Sequence, residues 1–384
     1  MNGKNTLLSL VISLPKLSFE PTNQLNTMRI FSLIFAFVFV LSCSEKQSAT
    51  TISAMEKEIK VVEKDNPNLN LNTIAFGSCS RQDSPQLYWK YVAQQNPDLW
   101  IWLGDNIYGD SEDMQVLQAK YTQLKSDSNY QGFTENHALI GIWDDHDYGV
   151  NDGGKDFPKK KASRDLMFDF LEVPKTHPAW QRKGGYTAYT FGETGKKVKV
   201  ILLDARYFRD SLEKSYPEPK TYVYLPNKEG DILGEAQWTW LEEELKNSDA
   251  QLHLIGSGIQ IIPEDHRFEK WANFPTARKR LFETIAASGQ ENVVLLSGDR
   301  HISEFSQMDI EDKEKPLYEF TSSGLTHTWS GGGGEENQHR VGELTIATSF
   351  GAMEIDWDAT PLSVTMKMFS TQNGELLQER KVAF

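Results

Sequence analysis

Leu99-Trp100-Ile101-Trp102-Leu103-Gly104-Asp105 is a run of five apolar residues that stops at a glycine and a carboxylate. Apolar sequence of that length without polar alternation is the pattern of a strand buried on both faces. Upstream, Leu71 to Phe76 is strand-like and ends in Gly77-Ser78-Cys79-Ser80-Arg81, and Pro85 to Gln95 places Leu87, Tyr88, Tyr91 and Val92 at helical spacing. Strand, loop, helix, strand in that order is a βαβ signature. Downstream, Glu112 to Lys125 reads as a helix, and Ala138 to Trp143 as another buried strand leading into Trp143-Asp144-Asp145-His146-Asp147-Tyr148-Gly149. Three carboxylates and an imidazole side by side either repel or share a cation. The stretch reads as the centre of a metal site, at the strand-to-loop edge where ligands of open α/β sheets gather. A solvated acidic loop capping a helix is the alternative.

The alternation continues. Lys155 to Glu172 reads as a helix whose Lys159, Lys160 and Lys161 form a solvated face, with attraction of an anionic substrate as the lesser reading. Tyr186 to Phe191 and Lys197 to Leu203 read as strands, the second ending in Asp204-Ala205-Arg206, and Tyr207 to Gly234 as a polar, Pro-bearing surface excursion. Glu235 to Asn247 and Thr276 to Ala287 are predicted helices around a strand at Leu252 to Ile262. Val293 to Ser297 is a strand that stops at Gly298-Asp299-Arg300-His301. From Leu317 the pattern becomes antiparallel β: Tyr318 to Thr321, Gly351 to Trp357, and Leu362 to Phe369 before an Asn373-Gly374 turn into a last strand.

With 39% hydrophobic residues among 384, the chain can bury a sizeable core. A net charge of -14 argues against a non-specific grip on nucleic acid, so no nucleic-acid scaffold role is expected. It leaves room for a small phosphorylated substrate, because bound cations make a pocket locally positive on an acidic protein. The chain has two cysteines, Cys43 and Cys79, in settings too different for a structural disulfide. Cys43 follows the apolar run Ile30 to Leu41, too short to span a membrane but suited to a signal-peptide core. Val40-Leu41-Ser42-Cys43 is similar to a bacterial lipobox, with Met28-Arg29 just before the run as the expected true start. The expectation is therefore a signal region over residues 1–43, a flexible tether over 44–70 and a single domain over 71–384. The protein would be exported and anchored at the cell envelope through a lipidated Cys43, with no obligate protein partner evident.

Apolar strands each end in a loop holding candidate ligands: Cys79, then Asp105 and Tyr108, then Asp145 with His146, then Asp299 with His301. Bridging carboxylates are what two neighbouring cations require, and a phenolate with a thiolate favours ferric ion over magnesium at one position. Gly77-Ser78-Cys79, Gly104-Asp105-Asn106-Ile107-Tyr108, Trp143-Asp144-Asp145-His146-Asp147 and Ser297-Gly298-Asp299-Arg300-His301 resemble, in order, the motifs of the alkaline phosphatase D family of the metallophosphoesterase (calcineurin-like) superfamily.

The resemblance implies an α/β (α+β) fold with a central β-sandwich flanked by helices in four αββα layers. It also implies phosphate mono- or diester hydrolysis at a dinuclear centre of Fe3+ plus Ca2+ or another divalent cation. Carried over by motif, Cys79 and Tyr108 would ligate iron and Asp105 would bridge. Asp145, Asn151, Asp299 and His301 are the further candidate ligands, with Asp144 and Asp147 orienting their neighbours. A metal-bound hydroxide would attack phosphorus while His146 serves the leaving group, and Arg81 and Arg300 are candidate phosphate clamps or, equally, salt-bridge partners for acidic loops. Asp204 and Arg206 are set below these. His327 reads as a substrate contact or a satisfied loop residue, and Gly331 to Gly334 as a lid or an inert loop. The rival reading is a metal-binding envelope lipoprotein without turnover.

Overall fold

A computed structural model describes residues 62–218, 221–329 and 335–384. The signal region, the lipobox, most of the tether and the Gly331 to Gly334 loop lie outside the described residues.

Among the described residues two sheets carry the fold. In one, Leu99–Leu103 lies between Thr73–Gly77 and Ala138–Ile142, all three parallel. Ser349–Asp356, Ser363–Ser370 and Leu376–Ala383 extend it antiparallel from the Thr73–Gly77 side. In the other sheet Val198–Leu203, Leu252–Ser257, Val293–Ser297 and Leu317–Ser322 run parallel, with Thr187–Phe191 and Ser303–Met308 antiparallel on the two flanks.

The apolar residues of the strands explain the layers. Val200, Leu202, Leu254, Val294 and Leu296 belong to the same buried cluster as Phe76 and Ile101, so these faces form the sandwich interior. Their neighbours Ile201, Leu203, Ile255, Val293 and Leu295 belong to a second cluster with Trp238, Leu241, Leu281 and Ile285. Those last four residues lie on helices Gly234–Lys246 and Pro275–Ala287, which cover that face of the larger sheet. Two-sided burial is why these strands lack polar alternation. On the other sheet Trp100 and Trp102 pack against Trp89 at 4.9 and 5.5 Å. Phe133 and Phe170 close the same aromatic layer from helices Ser128–Thr134 and Lys160–Phe170. The result is the helix, sheet, sheet, helix order that the family resemblance implies.

Several boundaries differ for physical reasons. Asp65–Asn66, inside the expected tether, pairs with Thr190 and Phe191, so order begins before Leu71. The helix expected from Pro85 is Trp89–Gln94, and the one expected from Lys155 starts at Lys160, after Phe157-Pro158, where the residue before proline disfavours helical geometry. Strand Leu252–Ser257 ends five residues short of Ile262, because the buried Glu319 carboxylate takes the Ile261 and Ile262 N–H groups in place of a ladder partner. Strand Ser303–Met308, Ser-Glu-Phe-Ser-Gln-Met, was masked by its polarity; Glu304 is buried with Gln260 and Arg340 as partners. The excursion after Tyr207 contains a hairpin of Glu213–Glu218 with Thr221–Leu225. Lys160 donates to the Lys155 and Tyr207 carbonyls and Lys161 pairs with Asp165, consistent with their reading as a helix face. No helix among the described residues is long and apolar enough to cross a membrane.

Trp100 is fully buried in the aromatic layer, so Trp100→Ala is expected to cost about 3–5 kcal/mol through lost burial and an unfilled cavity. Urea unfolding of both forms measures it, and a loss under 1 kcal/mol would show that the layer repacks.

Candidate metal centre

Parallel pairing brings the strand ends into one place. The residues after Gly77, Leu103, Ile142 and Ser297 are the four expected ligand loops, and those after Leu203, Ser257 and Ser322 emerge at the same edge of the partner sheet. The loops approach so closely that a side chain at Gly104 would collide with Asp144, and one at Gly258 with the Asp144 carboxylate. Cys79, Asp105, Asp299 and His301 all hold left-handed backbone, with φ of 60°, 51°, 66° and 54°. Non-glycine residues in that region are strained, and such strain clusters at functional sites.

Three sets of potential ligand atoms form here, each within 4.8 Å: Cys79, Asp105 and His301; Asp105, Asp145 and His146; and Asp105, Asp144, Asp145 and Asp299. Asp105 belongs to all three, which is the placement expected of a bridge. Its Oδ2 accepts from Cys79 Sγ at 3.2 Å, and its Oδ1 from the His146 N–H at 3.2 Å. Tyr108 stands beside the first set, its hydroxyl 2.9 Å from His301 Nε2 and 3.0 Å from His327 Nε2. The first set is sulfur, nitrogen and oxygen, and the last is all carboxylate, so the two sides differ in the cations they suit.

The electrostatics fit a cation. Asp144 Oδ2 and Asp145 Oδ1 are buried polar atoms with no hydrogen-bond partner. Burial, reinforced by Cys79, pushes the Asp105 carboxyl well above its ordinary range; burial likewise raises Asp144, and with Asp145 lifts Asp299 to about 7. Burial drives the Cys79 thiol to about 11. Asp145 goes the other way, to about 2, because His146 and Arg206 outweigh its burial. A bound cation reverses the upward shifts, since it favours every deprotonated donor around it.

The expected residues divide between the centre and its rim. Asp299 joins the carboxylate set and His301 the sulfur-containing set, one on each side of Asp105. Asn151 lines the adjoining cavity of about 180 Å³ from an exposed turn. His146 lines the same cavity, and its Nδ1 lies 2.7 Å from Asp110 Oδ1. Arg300 also lines it, bound to Glu335 but with its buried Nε unpartnered. Arg81 is exposed, its guanidinium 4.7 Å from the Tyr108 ring centre. Asp147 orients two loops, accepting from the Asp144 and Asp105 N–H groups at 2.7 and 3.3 Å. His327 has Tyr108 on one nitrogen and Thr326 on the other, which agrees with the second of its two readings, a satisfied loop residue.

Other residues exceed or escape the sequence reading. Asp144, expected only to orient its neighbours, offers an oxygen to the carboxylate set. Arg206, ranked low, is fully buried against Asp144 at 2.7 Å and Glu269 at 2.6 Å, while Arg209 holds the other Glu269 oxygen at 2.9 Å. Its position at a strand end, like the other site loops, was the available signal. Asp204 beside it hydrogen-bonds Trp143 Nε1 and the Gly185, Arg206 and Tyr207 N–H groups, a structural assignment. Asp110 follows the Tyr108 loop and carries no motif signal of its own, yet it holds His146 Nδ1.

The candidate ligand loops thus gather at the parallel strand ends of a two-sheet sandwich, with Asp105 common to all three sets. A sequence model of the PhoD-like phosphatase family matches residues 74–363, and the chain belongs to that family. Alkaline phosphatase D of Bacillus subtilis (strain 168) is 23% identical over 312 residues, covering 71% of this chain and 53% of that protein, so the chain spans about half of that relative's length. A solved PhoD structure aligns with a TM-score of 0.59 at 20% identity, over 84% of this chain and 73% of that one. A dimetal phosphatase from Danio rerio aligns at 0.51 and 11%, over 82% and 99%. These structural likenesses establish the fold.

Because Asp105 is shared, Asp105→Ala is expected to abolish stoichiometric metal at both positions, whereas His301→Ala is expected to weaken chiefly the sulfur-containing side. Metal analysis of the purified variants reads this, and full metal content in Asp105→Ala would refute the shared role.

Proposed function

We propose that the chain is a metal-dependent phosphoesterase that hydrolyses small phosphate monoesters, diesters or both at a dinuclear centre. The observation that carries this is the presence of Asp105 in all three ligand sets. Cys79, Tyr108 and His301 would hold one cation, which we assign as ferric iron from the thiolate and phenolate, and Asp144, Asp145 and Asp299 the other, calcium or another divalent ion. Bound there, such a pair neutralises phosphoryl oxygens and makes water a competent nucleophile near neutral pH.

The protein's own groups supply the rest. Among these groups, burial disfavours protonation of His146, but Asp105, Asp145 and Asp110 outweigh it and raise the imidazole to about 11. Asp110 occupies Nδ1, leaving Nε2 to give its proton to the departing alkoxide. Arg300 offers its unpartnered Nε to a phosphoryl oxygen, and Arg81 approaches from the Tyr108 side. Arg206 compensates Asp144 from beneath and keeps its second oxygen turned toward the cluster.

His146→Ala is expected to lower kcat by about a hundredfold or more with metal retained, and Asp110→Asn by less. Assays of mono- and diesters beside metal analysis separate the roles; a His146→Ala protein that lost its metal would make His146 a ligand, and undiminished hydrolysis by Asp105→Ala would end the phosphoesterase reading.

We also propose export and anchoring through lipidated Cys43, supported by the apolar run Ile30 to Leu41 before it. Cys43→Ser should move the expressed protein from the membrane fraction to the soluble fraction. An unchanged distribution would discard the anchor.

A further inference from the structure

The cavity beside the ligand cluster has two unlike walls. One presents Asp145, His146, Asp299 and His301, and the other Tyr222, Phe268 and Trp329. The three rings are only partly buried, so they keep faces or edges open to whatever enters.

That aromatic wall is tied to the reacting end of the site. The Trp329 N–H donates to the His301 carbonyl at 3.2 Å, which anchors the indole's backbone one hydrogen bond from a candidate ligand. Phe268 meets Trp329 edge-to-face, with ring centres 5.0 Å apart at 82°. The Arg300 and Arg267 guanidinium groups stand 4.3 and 4.4 Å from the Phe268 ring centre, and Arg267 is 5.3 Å from Tyr222. Glu269, next in the chain, is held by Arg206 and Arg209. Rings held this way lose little freedom on binding, and they offer π faces and guanidinium planes to a planar ligand. An acyclic alcohol gains little from either.

We propose that the preferred substrates are phosphate esters whose alcohol carries a planar ring, the class of aryl phosphates and mononucleotides, with the ring seated on Tyr222, Phe268 and Trp329. This rests on the phosphoesterase reading. Phosphoryl oxygens face the metal ligands and Arg300, and the leaving group lies along the aromatic wall.

The test uses the full, metal-loaded chain and three probes: adenosine 5′-phosphate, phenyl phosphate and glycerol 3-phosphate. Phe268→Leu and Trp329→Leu are each compared with the parent, so the intrinsic reactivity of each ester cancels. Each variant is expected to lower kcat/KM for the ring-bearing esters about tenfold more than for glycerol 3-phosphate, mainly through KM. Loss with both ring esters supports the whole class, and loss with one assigns the wall to that source. Equal losses on all three esters would overturn the proposal, since they mean general damage to the site. Calorimetric Kd values for the same probes in His146→Ala are read alongside. If no ester is hydrolysed by the parent, the phosphoesterase reading fails and the Kd ratio still decides the wall: ring-bearing probes binding about tenfold tighter supports it, equal affinities overturn it.

Discussion

Asp105, Asp144 and Asp145 are buried and Asp299 half-buried, all within reach of one another, and Arg206 contacts only Asp144 among them. Four carboxylates taken out of water in so small a volume cannot all be ionised unless positive charge joins them. The remaining features of the site answer that one constraint. Glycines at 104 and 258 let the loops close to carboxylate distance, left-handed backbone at four ligand positions aims the side chains inward, and the Arg206–Glu269–Arg209 chain fixes the floor. A protein organised only for stability would not concentrate strain and like charge at one sheet edge.

The core of the fold was legible because burial on both faces writes itself into composition. Val293–Ser297 reads directly from its apolar run, and Leu99–Leu103 likewise, since each faces a helix layer and the sandwich interior at once. What escaped was polar sequence whose burial depends on distant partners. Ser303–Met308 hides Glu304 behind Gln260 and Arg340, and the strand after Leu252 ends where Glu319, some sixty residues later, takes its N–H groups.

The site shows the same division. Strand-end loops announced Cys79, Asp105, Asp145, Asp299 and His301, and all five lie in the ligand sets. Asp144 and Asp145 are adjacent and chemically identical in sequence; only the loop geometry shows that both carboxylates reach the cluster. Arg206 was underrated because its worth lies in a contact with Asp144, 62 positions away in the chain. Asp110 and His327 illustrate the limit from another side. Their roles are to hold His146 and Tyr108, and a supporting hydrogen bond leaves no spacing signature.

Asp105 joins two donor sets that differ in chemical hardness. A residue shared in this way makes the two sides thermodynamically dependent: whatever occupies one changes the charge that Asp105 presents to the other, and by linkage the influence is equal in both directions. The thiol and imidazole side would favour a cation that accepts sulfur and nitrogen donors, and the carboxylate side one that takes oxygen alone. If cations fill both sides as proposed, their sorting and the order of filling would follow from the unlike donors that one carboxylate holds together.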